Sequence, residues 1–75
     1  MMPLIFGKSG EEFEVTTIQG GKGFLKKLME MGIYSGIRVR IILNPGNGPI
    51  IIALSDTRIA LGKGMAAKII VRKLS

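Results

Sequence analysis

The sequence predicts a small, mostly β barrel of about five strands, with one short helix inserted after the first strand. Three observations predict it. Apolar and polar residues alternate in short runs, most clearly over 11–18 and 37–43. Clusters of Gly, Pro, Asn, Asp and Ser punctuate the chain every several residues, as in small all-β domains. Only residues 24–31 repeat their apolar side chains at helical spacing. The chain has 75 residues, which suits one domain over 1–75. A domain of that size buries roughly 60% of its unfolded surface, so its core must be economical.

Taken in order, residues 1–10 read as an irregular lead-in ending at Ser9-Gly10. The run 11–18 is the first strand, with Phe13 and Val15 on one face and Glu12 and Glu14 on the other. Gln19-Gly20-Gly21-Lys22-Gly23 is a flexible connector. Its glycine spacing fits neither a P-loop nor a dinucleotide fingerprint, so no phosphate cradle is expected. A helix over 22–31 follows. Phe24, Leu28 and Met31 form one apolar row, Leu25, Leu28 and Met29 another, and Lys26, Lys27 and Glu30 fall on the wet side.

Gly32 is placed to close that helix as the left-handed residue of a Schellman ending, which sets Ile33 against Leu28. Gly36 then permits a second tight turn into a strand over 37–43. In that strand Ile37, Val39, Ile41 and Leu43 face one way, and Arg38 and Arg40 the other. The turn cluster 44–49 joins it to the strand 50–54, an apparent hairpin. Barrel closure is expected to protect this apolar strand from acting as an open edge. Ser55-Asp56-Thr57 turns the chain into 58–61, residues 62–67 make a short helical connector, and 68–73 is the last strand.

Composition narrows the chemistry. Cysteine and histidine are both absent, which removes disulfides, thiolate and imidazole metal ligands, and most nucleophile–base pairs. No catalytic residue and no cofactor are expected; Ser9, Ser35, Ser55 and Ser75 all fall in turns or at the terminus. Glu12 and Glu14 share a strand face and are the sole carboxylate pair worth weighing as a hard-metal site. A solvated strand face accounts for them better. Apolar residues make up 47% of the chain and the net charge is +6, which favours an acidic partner surface, nucleic acid or anionic headgroups. The longest apolar run, 50–54, is far below the ~20 residues that span a bilayer, and Met1 to Lys8 lacks a basic leader region. A cytoplasmic chain with no membrane insertion is the expectation.

One further pattern covers the chain from Gly10 onward. It begins with Lys27-Leu28-x-x-Met31-Gly32-Ile33-x-x-Gly36 and continues through Val39-x-Ile41 and the Pro45–Pro49 turn before Ile50. It ends with Ile59-Ala60-Leu61 and Ala66-x-x-Ile69-x-Val71. In order and spacing this resembles the FeoA family, small accessory proteins of bacterial ferrous iron uptake. The resemblance implies an SH3-like barrel with a helical insertion. It also implies a non-enzymatic regulatory role that binds the cytosolic part of a GTPase-bearing membrane iron transporter, placing the chain peripherally at the inner membrane. Two positions depart from the family pattern. Lys27 stands where an arginine is common, keeping the charge but losing the bidentate fork, and Ser35 stands where a proline is common.

The residues themselves offer partner-binding candidates: Lys26 and Lys27 on the helix, Tyr34 in the turn, and Arg38 and Arg40 on a strand face. Tyr34 either caps the barrel end or anchors a partner. With one tyrosine and no tryptophan, and with Phe13 and Phe24 assigned to the core, polyproline recognition is disfavoured. The alternative function is a small basic SH3-like domain that binds nucleic acid, akin to the C-terminal domain of metal-dependent repressors. Scarce aromatics argue against base stacking, so stable nucleic-acid binding is not expected.

Overall fold

The alternating runs become strands of one antiparallel sheet in the computed structural model of the protein, which describes residues 1–74. Ser75, the last of the serines considered above, lies outside the described residues. In chain order the elements are β1 (Met2–Pro3), a 3-10 turn (Leu4–Phe6), β2 (Glu12–Ile18), α1 (Lys22–Glu30), β3 (Arg38–Leu43), β4 (Ile50–Ala53), β5 (Arg58–Leu61), α2 (Lys63–Ala66) and β6 (Ile69–Lys73). The sheet order is β1-β6-β2-β3-β4-β5. It curls round a core to which every strand from β2 to β6 contributes its inward row: Phe13 and Val15, Val39 and Ile41, Ile50 and Ile52, Leu61, Ile69 and Val71. Leu4, Leu28, Ile33 and Ala66 close the core from the connecting segments. A fully buried aliphatic side chain contributes about 1.5–3 kcal/mol, so this short inventory carries the domain.

The lead-in is more ordered than its sequence implies. Met2 and Pro3 pair with Val71 and Ile70, adding a sixth strand, and Leu4 is fully buried. β4 is not an edge, because β3 and β5 pair with it on both sides. The edges are β1 and β5, each short. The segments beside them, the 3-10 turn after β1 and α2 after β5, pack on one another.

Two irregularities re-aim side chains. Between Ile41 and Leu43 the register of β3 against β4 slips by one residue, leaving Ile42 without an opposite number. Leu43 therefore turns outward and is exposed, not inward with Val39 and Ile41. A similar slip in β2 at Thr16 lets its hydroxyl donate to the Ile70 carbonyl (3.1 Å).

The helix ends as its sequence predicts. The Gly32 N–H donates to the Met29 carbonyl and the Ile33 N–H to the Leu28 carbonyl, both at 2.9 Å, with Gly32 at φ +92°. Leu28 and Ile33 are both buried. Tyr34 to Ile37 then form a tight turn with Gly36 at φ +99°, pinned by the Gly36 N–H to the Val15 carbonyl (2.7 Å) and the Ser35 hydroxyl to the Thr16 carbonyl (2.8 Å). The turn that leads from the helix into β3 is thus pinned to β2.

Candidate functional site

The helix–turn unit carries a surface that the core does not use. Of its apolar residues Leu28 and Ile33 are buried; Phe24 and Met31 are half-buried. The second apolar row faces water: Leu25 is 36% exposed and Met29 62%, one helical turn apart, and Tyr34 is 47% exposed beyond the glycine clamp. Leu25 and Met29 were expected inside. A nine-residue helix lying against so small a barrel touches it along one narrow seam, so its flank stays uncovered. Tyr34 resolves as exposed, not as a lid on the barrel end. Phe24 is half-buried and packs against the core, with the Lys68 ammonium 5.3 Å from its ring centroid.

Lys26 and Lys27 are exposed on the same helix, and no carboxylate among the described residues lies within 4.0 Å of either ammonium. The late basic residues are more occupied. Lys73 binds Glu11 (2.9 Å), Arg72 binds Glu14, and the Lys63 ammonium binds the Gly46 carbonyl. The apolar row and free lysines of α1, with Tyr34, form the candidate contact surface.

Arg38 and Arg40 lie elsewhere, on the outer face of the sheet. There the strands form two charge rows. Arg72, Glu14 and Arg38 stand opposite one another across β6, β2 and β3; Glu12, Arg40, Ala53 and Arg58 do so across β2, β3, β4 and β5. Glu12 reaches Arg40 at 3.9 Å. Each carboxylate of the Glu12–Glu14 pair therefore faces a guanidinium, an arrangement that competes with a cation. Arg58 was not singled out by sequence reasoning, and only the register of β5 reveals that it shares a face with Arg38 and Arg40.

Glu11 stands apart from these rows. The Lys73 ammonium bonds its carboxylate, and the Lys8 backbone N–H donates to it (2.7 Å). The Lys73 hydrogen bond first, then the Lys8 N–H, holds Glu11 below the ordinary glutamate value.

The chain is similar to known proteins along nearly its whole length. The model of the FeoA domain family matches residues 2–73. A Methanocaldococcus jannaschii protein provisionally named Fe(2+) transport protein A is 45% identical over 71 residues, which cover 95% of this chain and 85% of that one. Among solved structures, the crystal structure of an iron uptake regulatory protein (FeoA) superposes with a TM-score of 0.89 at 37% identity, covering 97% of this chain and 96% of the other. A manganese-dependent transcriptional repressor superposes with a TM-score of 0.86 at 24% identity, covering 96% of this chain and 41% of the repressor. That last likeness is one of fold.

Proposed function

Since the chain belongs to the FeoA family, we propose that it is a non-enzymatic accessory protein of ferrous iron uptake that binds the cytosolic part of a GTPase-bearing membrane iron transporter. The observation that carries the binding reading is the uncovered flank of the helix–turn unit. Leu25, Met29 and Tyr34 are large, exposed and close in the chain, with Lys26 and Lys27 interleaved. An aromatic anchor with cations around it is the composition of a contact surface, where the ring supplies burial and the charges supply encounter rate. No described helix is long and apolar enough to cross a membrane, so the reading places the protein at the bilayer through its partner.

The test is a titration of the full chain against the transporter's soluble GTPase region and, separately, against the whole transporter in membranes. Wild type binds at least one of them. Tyr34→Ala chiefly raises the dissociation rate, while charge reversal at Lys26 and Lys27 slows association and flattens its salt dependence. Binding to neither form, with salt-dependent binding to DNA or RNA, replaces this reading by the nucleic-acid one that the basic charge and the repressor-like fold would then support.

A further inference from the structure

We propose that the outer face of β3, β4 and β5 is a binding groove for an acidic protein segment, whose carboxylates are held by Arg38, Arg40 and Arg58. The register builds it. Arg40 and Arg58 both pair with Ala53, one from each side. Neighbouring strands lie about 4.8 Å apart, so the two arginine backbones stand roughly 10 Å apart across an alanine. Ala53 is the floor and the arginines are the walls. Arg38 extends one wall, about 7 Å along β3 from Arg40 on the same face. The concavity is open, about 660 Å³ in volume, and its apolar lining comes from Ile37, Ile42 and Leu54.

The charges of this groove are unspent. Among the described residues no carboxylate lies within 4.0 Å of Arg38 or Arg58, and Arg40 meets Glu12 at 3.9 Å with both side chains about half exposed. Arg72, on the same outer face, is by contrast bonded to Glu14. The Arg38 and Arg58 guanidinium forks thus remain for ligand oxygens, with Arg40 held only loosely by Glu12, and a guanidinium matches a carboxylate edge to edge.

The lining selects the occupant. It holds no aromatic residue on which a base would stack, and Glu12 and Asp56 stand in it as well. A nucleic-acid strand carries charge at every nucleotide and must pass both carboxylates. A peptide places its carboxylates at chosen positions and lays apolar side chains over Ile37, Ile42 and Leu54. The groove does not rest on the transporter reading, and its lining includes neither Leu25 nor Met29.

The test is fluorescence anisotropy of the full chain with three labelled probes: a short peptide of Ser and Leu bearing three Glu, its Gln counterpart, and a short single-stranded DNA. The Glu peptide is expected to bind saturably, and the Gln peptide and Arg38→Gln or Arg58→Gln each weaken binding about tenfold. Lys26→Gln with Lys27→Gln leaves it unchanged. Amide shifts on titration fall within 37–42 and 53–58. Both arginines are exposed, so the variants fold, as circular dichroism checks. Absence of saturable peptide binding, indifference to both arginine changes, or tighter binding of the DNA overturns the proposal.

Discussion

Two glycines nine residues apart separate backbone need from mere tolerance. Gly32 closes α1 at φ +92°, and a β-carbon there would stand 3.1 Å from Leu54 Cδ1; Gly23 lies inside α1 with nothing within 4 Å of its added carbon. Gly32→Ala is expected to destabilise by about 1–2 kcal/mol, while Gly23→Ala stabilises by about 0.5–1 kcal/mol, as urea midpoints will show. The same sign for both changes contradicts the clamp. Glu11 makes the second prediction at this scale. Its folded pKa is lowered, so its contribution to stability is complete above the ordinary glutamate range and is lost as pH falls through the lowered folded value. The stability gap between wild type and Glu11→Gln should therefore narrow on acidification through and below that range; a constant gap contradicts it. Gly32 was legible because a left-handed residue after an apolar row has a sequence signature. The outward turn of Leu43 was not, because a bulge at Ile42 leaves no mark in the alternation.

At the scale of elements, the helix separates into a buried seam and an exposed flank. Leu28→Ala removes the one fully buried side chain of α1 and is expected to cost about 2–5 kcal/mol, a large share of so small a domain's stability. Leu25→Ser and Met29→Ser should each stay within about 0.5 kcal/mol in urea unfolding yet weaken partner binding. Equal destabilisation at all three sites would mean that the flank packs inward. The helix, its ending and the strands from β2 to β6 were legible from period and turn chemistry. Which of two apolar rows faces the barrel was not, because both satisfy helical spacing and only the docking angle chooses. β1 was invisible for a simpler reason: two residues have no period.

For the whole molecule the question is whether this chain handles iron or handles the protein that moves it. Imidazole and thiolate are absent from the sequence, and Glu12 and Glu14 each face an arginine across the sheet. Anaerobic calorimetry with ferrous iron at neutral pH is expected to show no stoichiometric micromolar binding; such binding would revive the Glu12–Glu14 pair as a site. The fold was legible at this scale, whereas the proposed partner rests on the family resemblance and on neither charge nor periodicity. The most direct measurement is the dissociation rate of the full chain from the transporter's cytosolic GTPase region or from the whole transporter in membranes, for wild type and Tyr34→Ala. A wild-type complex is expected, from which Tyr34→Ala, folded as wild type, dissociates about 30-fold faster, as a hot-spot loss of about 2 kcal/mol requires. A complex that forms and dissociates identically with either residue at position 34, or no complex with either form of the transporter, contradicts it.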